Sequence, residues 1–223
     1  MTDPAHPRVL ASSLRKAARQ YPVVCVTGPR QSGKTTLCRC VFPRKTYVSL
    51  ETLDARNYAN DDPRGFLLEY RRGAIIDEVQ HAPALLNYLQ VDVDDNPKPG
   101  RFILTGSQNL LLMQGVSQSL AGRTAVLHLL PLSHGEMQAF PRPPRDLWST
   151  LFQGGYPRIH AQRISAERWL ANYVATYVER DVRQLLNVGD RLAFGNFLKL
   201  CAARVGQELN LSSLGSDAGV SHN

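Results

Sequence analysis

Apolar and polar positions change period repeatedly along the 223-residue chain, and the changes predict alternating helices and strands. Leu10, Leu14, Ala17 and Ala18 recur at helical spacing within Arg8 to Gln20, which predicts a short amphipathic helix. Pro22 follows, and then a continuous apolar, β-branched run, Val23-Val-Cys-Val-Thr27, reads as a buried strand. The next apolar runs are Tyr47-Val-Ser-Leu50, Ala74-Ile-Ile-Asp77-Glu78, Arg101-Phe-Ile-Leu-Thr-Gly-Ser107 and Ala125-Val-Leu-His-Leu-Leu130. Between them lie stretches with helical period: Thr35 to Val41, a polar stretch broken at Asp61-Asp-Pro63, Phe66 to Tyr70, and a helix opened by Pro83 through Leu85, Leu86 and Leu89. Continuous rather than alternating strands, separated by helices, predict an α/β fold with a parallel sheet covered on both faces.

After Pro131 the pattern becomes helical, apart from Gly154-Gly-Tyr-Pro157. Pro141-Arg-Pro-Pro144 reads as a linker, and Ser165 to Leu186 carries an apolar stripe suited to core packing. Asp190 to Val205 is expected to form a further helix. Leu211 to Asp217, with a turn at Gly219 and a cap at Ser221, has the pattern of the first part of a helix-turn-helix.

The chemistry concentrates at the end of the first strand. Gly28, Pro29, Arg30, Gln31, Ser32, Gly33, Lys34 and Thr35 fit G-x-x-x-x-G-K-[ST], and Thr36 follows. Strand, glycine loop and helix form the context in which backbone N–H groups converge on an anion at a helix N-terminus. There Lys34 reaches the β- and γ-phosphates and the Thr35 hydroxyl is placed for Mg²⁺. Average residue usage yields the bare pattern by accident in roughly one chain in a hundred of this length, so with correct flanks it is read as a nucleotide phosphate site.

Asp77 and Glu78 close the third strand. Downstream of a phosphate loop, the pair suits an aspartate that holds Mg²⁺ and a glutamate that polarises water against the γ-phosphate. Each also fits a plain charge at a strand end. Ser107, at the end of the fourth strand, is the favoured polar group for touching water or the γ-phosphate, with a simple strand-to-helix cap as the alternative. Arg123, just before the fifth strand, is placed to reach a neighbouring subunit's γ-phosphate, or to make a local salt bridge. The Asn-Lys-x-Asp run of guanine-specific proteins is absent, since Asn96-Pro-Lys-Pro99 does not match it.

Composition narrows the setting. With 43% apolar and 20% charged residues the chain can bury a proper core. A net charge of +7 leans towards an anionic partner. The four cysteines have neither zinc-ligand spacing nor a disulfide pattern, which fits a reducing cytoplasm. No signal peptide and no run of about 18 apolar residues is present, so no membrane role is expected. Arg158, Arg163, Arg168, Arg180, Arg183 and Arg191 give the later helices a basic cast that fits either a solvated face or DNA contact.

Together these residues resemble the AAA+ division of phosphate-loop ATPases, and within it a bacterial and archaeal family pairing an AAA domain with a DUF4143 region. The resemblance runs through Gly28 to Thr36, Ile76-Asp-Glu-Val-Gln80, Phe102-Ile-Leu-Thr-Gly-Ser-Gln108, Ser119-Leu-Ala-Gly-Arg123, Pro131-Leu-Ser133, Gly154-Gly-Tyr-Pro157, Tyr177-Val-Glu-Arg-Asp-Val-Arg183 and Ala218-Gly-Val-Ser-His222. It implies an ASCE-type sheet with a helical lid and a partial helix-turn-helix. The core is expected over 1–135, the lid over 136–190 and an incomplete winged helix over 191–223. It implies ATP and Mg²⁺ as ligands and Mg²⁺-dependent ATP hydrolysis coupled to conformational change, with a second copy of the chain, as a homo-oligomer, among the candidate partners. Pro157 inherits the role of a lid proline packed on adenine. Members continue beyond this point, so the chain reads as truncated and its DNA contact as weak. A nucleotide-gated DNA switch with little turnover, and an inactive remnant, remain as alternatives.

Overall fold

The computed structural model describes residues 8–107, 119–178 and 191–219. The chain divides into two compact units, residues 1–166 and 167–223.

The first unit is built on five parallel strands: β1 Val23–Gly28, β2 Thr46–Ser49, β3 Ala74–Asp77, β4 Phe102–Ser107 and β5 Thr124–His128. Their order across the sheet is β2-β3-β4-β1-β5, so β4 lies between β1 and β3. β1 and β4 are buried at every residue, as their unbroken apolar runs require of strands covered on both sides. The register pairs Gly28 with Ser107, Ile76 with Leu104 and Ser49 with Asp77. The strands' C-terminal ends therefore form one edge, where open α/β sheets place their ligands.

Helices α1 (Leu10–Ala17) and α2 (Lys34–Val41) cover one face. Leu14, Ala17, Leu37 and Cys38 pack there with Val24, Val26, Ile75 and Ile103. Helices α3 (Leu53–Asp61), α4 (Pro63–Glu69) and α5 (Leu85–Asp95) cover the other. Phe66, Leu67, Leu85, Leu86, Leu89 and Val93 meet Val23, Cys25, Ile76, Phe102 and Leu104 in that layer. Each fully buried Leu or Ile side chain contributes about 1.5–3 kcal/mol over its exposed state. The helices either side of Asp61-Asp-Pro63 are separate because Asp62 caps α4, accepting from Gly65 N at 2.9 Å, and Pro63 occupies its first turn.

Two departures from the sequence pattern matter. The third strand ends at Asp77 rather than Glu78, because Glu78 adopts left-handed backbone angles (φ 56°, ψ 47°) that turn the chain into a short 3-10 segment, Val79–His81. Pro141 to Pro144 lies inside the first unit, between helices α6 (His134–Gln138) and α7 (Leu147–Gln153). Ser133 and Glu136 form a reciprocal capping box on α6. Helix α8 (Pro157–Gln162) follows.

In the second unit α9, Ala166–Tyr173, which begins at the boundary, continues into a π-helical turn, Val174–Val178. Helices α10 (Arg191–Ala203) and α11 (Leu211–Ala218) pack together, with Arg204 ion-paired to Asp217 and Asn210 capping α11. Gly219 closes α11 in the left-handed conformation. The cap expected at Ser221, the end of the Ser165–Leu186 stripe, Gln108, Arg180 and Arg183 lie outside the described residues. Among the described residues no helix is long and apolar enough to cross a membrane.

Candidate functional site

Gly28 leaves β1 at φ 149°, and a Cβ there would stand 2.2 Å from the Leu129 carbonyl oxygen. Only glycine lets the loop begin so close to the chain after β5. Gln31 takes φ 60° and Gly33 φ 93°, which swings the backbone round to start α2. Gly33 is the N-cap and supplies no side-chain oxygen, so the first N–H groups of α2 keep their capacity for an outside anion. Pro29, Arg30 and Ser32 complete the loop. The Ser32 hydroxyl is buried and makes no hydrogen bond.

Lys34 is almost fully buried, and its ammonium donates to the carbonyls of Gly28 (3.0 Å) and Pro29 (2.9 Å). Those bonds use two of its three protons, leaving one for a ligand. Burial lowers its pKa below the usual lysine value, while the nearby Glu78 and Asp77 carboxylates act in the opposite direction.

Three hydroxyls surround Asp77. Thr35 Oγ1 lies 2.9 and 3.0 Å from the two carboxylate oxygens, Tyr47 donates to Oδ2 at 2.9 Å, and Thr105 donates to Oδ1. Burial, followed by the Asp77 charge, pushes the Tyr47 hydroxyl up to about 12, so it remains a donor at neutral pH. Glu78 takes a hydrogen bond from the Gln80 amide, whose nitrogen is also 3.2 Å from Ser107 Oγ. The Gln80 side-chain oxygen, Oε1, is buried without a partner.

A cavity of about 710 Å³ opens over the loop. Its wall includes Gln31, Gly33, Lys34, Thr35, Thr36 and Glu78 on the loop side, with Val9, Leu132, Phe140 and Pro157 opposite. Pro157 opens α8, and its Cγ would be 3.9 Å from a Cβ on Gly33. Arg8 ties the loop to the rest of the unit. It donates to Ser32 O (2.7 Å) and Leu130 O (2.7 Å) and pairs with Glu136 at 3.0 Å. Burial alone would raise the Glu136 pKa, but hydrogen bonds from Ser133 N, Val9 N and Arg8 outweigh it and hold the carboxyl below its usual range.

Lys34, Thr35, Asp77, Glu78 and Ser107 thus meet at one edge of the sheet. Arg123 does not join them. It precedes Thr124, which pairs with Val23 at the start of β1, so about 17 Å of strand separates it from the loop. Its guanidinium is held by Asp94, with Nη2 to Oδ2 at 2.8 Å, and donates to Ala121 O at 3.0 Å. Sequence reasoning missed Tyr47, Gln80 and Arg8 as members of the site. Gln80 falls within the Ile76–Gln80 run, but Tyr47 and Arg8 are joined to it only by strand pairing and packing.

Thr35, Asp77 and their neighbours offer hard oxygen donors, which suit Mg²⁺. Among the described residues no group of three or more His, Cys, Asp or Glu could hold a metal ion. A cation here would draw its remaining oxygens from phosphate and water, as Mg²⁺ commonly does.

Residues 20–138 match the AAA domain family. Residues 144–223 match a domain of unknown function, DUF8612, a different region from the DUF4143 that the sequence resemblance names. Uncharacterized proteins of Mycobacterium bovis and Mycobacterium tuberculosis are each 36% identical over 183 residues, covering 80% of this chain. The chain spans about 40% of the length of those relatives. Among solved structures, a Walker-type ATPase of Pyrococcus abyssi shares the fold, with a TM-score of 0.60 and 15% identity over 98% of this chain and 90% of that one. The fold is that of the P-loop NTPases.

Proposed function

Because the chain belongs to the AAA domain family, we propose that it binds ATP at residues 28–36 and hydrolyses it with Mg²⁺, coupling turnover to conformational change. The observation that carries this reading is the meeting of Lys34, Thr35, Asp77 and Glu78 beside an uncapped helix N-terminus, under a cavity large enough for a nucleotide.

The N–H groups at the start of α2 and the remaining Lys34 proton bind the phosphates. Thr35 and Asp77 would hold Mg²⁺, which would supply charge neutralisation at the phosphate oxygens. Glu78 orients a water and takes its proton as the water oxygen attacks the γ-phosphorus. The bond from the γ-phosphorus to the β,γ-bridging oxygen breaks, giving ADP and phosphate. Ser107, joined to Glu78 through Gln80, contacts the water or γ-phosphate from β4. Pro157, at the start of α8, packs on the base and forms part of a helical lid that begins near residue 136.

Arg123 is too far from its own loop to serve it. Its role in this reading is towards the γ-phosphate of a second copy, after release from Asp94.

Steady-state hydrolysis by wild type and Glu78→Gln tests the proposal. The variant keeps shape and hydrogen bonding but lacks the base, so it should bind ATP and turn over ~10²–10⁴-fold more slowly. Hydrolysis at the wild-type rate would remove Glu78 from the mechanism.

A further inference from the structure

Tyr47 lies on β2, the strand at one edge of the sheet. The β2–β3 register pairs Tyr47 with Ile75 and Ser49 with Asp77. Since side chains alternate along a strand, Tyr47 and Asp77 share the face that α2 covers. Two residues of strand advance about 6.6 Å. The tyrosine ring spans that step, and its hydroxyl meets Asp77 Oδ2 at 2.9 Å. The Arg39 guanidinium of α2 lies over the ring, 4.8 Å from its centroid.

Tyr47 is 36% exposed as a residue, yet its hydroxyl is directed to the largely buried Asp77 carboxylate. We propose that Tyr47 is a positioning residue for the metal site, fixing the Asp77 carboxylate through Oδ2 while Thr35 and Thr105 fix it from other sides.

This inference rests on the reading of Asp77 as the Mg²⁺-holding acid. With three hydroxyl donors on two oxygens, the carboxylate plane has little freedom to rotate. Loss of the Tyr47 donor frees Oδ2 and weakens the hold on the cation. Partners that orient metal-site carboxylates typically contribute 10–100-fold in metal affinity. Nucleotide binding without metal depends on the loop and Lys34, which Tyr47 does not touch, so that component is unaffected.

The test uses the full chain with Tyr47→Phe, which keeps the ring and its Arg39 contact, and Tyr47→Leu, which keeps neither. Mn²⁺ titration in the presence of ATP, followed by electron paramagnetic resonance, reads metal affinity. ATP affinity in EDTA and the thermal midpoint are read alongside. In Tyr47→Phe the half-saturating Mn²⁺ concentration should rise about 10-fold or more, with EDTA affinity and midpoint unchanged. Tyr47→Leu should show the same metal effect. Unchanged metal affinity in Tyr47→Phe overturns the inference, as does an effect confined to Tyr47→Leu, which would assign the role to ring packing.

Asp77→Asn separates the two levels. If it weakens Mn²⁺ binding and Tyr47→Phe does not, only the positioning role falls. If Asp77→Asn itself leaves Mn²⁺ binding intact, the assignment of the acid falls and takes the positioning role with it.

Discussion

The two edges of the sheet carry similar residue types and use them differently. At the N-terminal edge, Arg101 pairs with Asp92 and donates to the Asn96 carbonyl at 3.0 Å, while Lys45 donates to the carbonyls of Gly100 and Arg101. Arg123 pairs with Asp94, in whose case the hydrogen bond from the arginine outweighs a small burial effect and keeps the carboxyl deprotonated to lower pH. Arg101, Lys45 and Arg123 each have a local partner there, although Arg101 Nε and Thr124 Oγ1 are buried without one. At the C-terminal edge Lys34 and Glu78 instead line the cavity over the loop. Ser32 Oγ and Gln80 Oε1 lack partners, α2 starts without a side-chain cap, and Glu78 holds a backbone conformation costing about 1–3 kcal/mol. Charged residues at one edge close the scaffold; at the other, Lys34 and Glu78 face the cavity in which we propose that a nucleotide binds.

The sharpest way to break this contrast is Lys34→Ala. It removes the positive charge under the phosphates, and ATP binding should fall below calorimetric detection while the thermal midpoint is kept or rises, since a buried ammonium is costly. Equal affinity in wild type and variant would place the nucleotide elsewhere.

A substitution at the opposite edge should do the reverse. Gly73 has φ 92°, and a Cβ there would come 2.2 Å from the Arg101 carbonyl oxygen. Gly73→Ala should cost about 1–3 kcal/mol in chemical denaturation and leave ATP affinity unchanged below the transition. A loss of affinity without a loss of stability would show that the edges are not independent.

Glu136 offers a smaller, pH-dependent effect. Its carboxyl is held below the usual range, so its contribution to stability is present above the unfolded pKa and lost as pH falls through the folded one. Thermal midpoints of wild type and Glu136→Gln should therefore differ at neutral pH and converge only as pH falls below the ordinary glutamate range and through the lower folded-state pKa. A constant difference across pH would mean that the carboxylate charge is not what Arg8, Val9 and Ser133 stabilise.

Arg123→Ala should have the smallest effect on an isolated chain. Its Asp94 pair is solvent-accessible, so ATP binding and fold should be unchanged. If Arg123 serves a second copy, mixing Arg123→Ala with Lys34→Ala restores turnover, because one interface then joins an intact loop to an intact arginine. No restoration, with a strictly monomeric mass, leaves Arg123 as part of the scaffold.

What could be read from the sequence follows from how local each feature is. The phosphate loop is contiguous, its glycines and lysine are required by backbone geometry and charge, and its flanks announce a strand and a helix. The parallel sheet was legible for a related reason, since strands buried on both faces leave unbroken apolar runs. Asp77 and Glu78 were visible as acids ending such a run, but the turn that separates them was not, because a left-handed glutamate leaves no compositional mark. Tyr47 reads as an ordinary strand aromatic until the β2–β3 register sets it beside Asp77. Arg8 reads as the start of a helix, yet α1 begins at Leu10 and Arg8 reaches carbonyls 24 and 122 residues away. Asp94, 29 residues before Arg123, gives no hint of the pair in sequence.

The central claim is that the phosphate loop and the acids at the C-terminal edge bind ATP and Mg²⁺. Amide hydrogen exchange of the wild-type chain with and without ATP·Mg²⁺ tests it most directly. The account predicts marked slowing in residues 28–36, weaker slowing in 77–81, and exchange at 92–101 that stays the same. Unchanged exchange across 28–36 at saturating ATP·Mg²⁺, or slowing confined to the opposite edge, would contradict it.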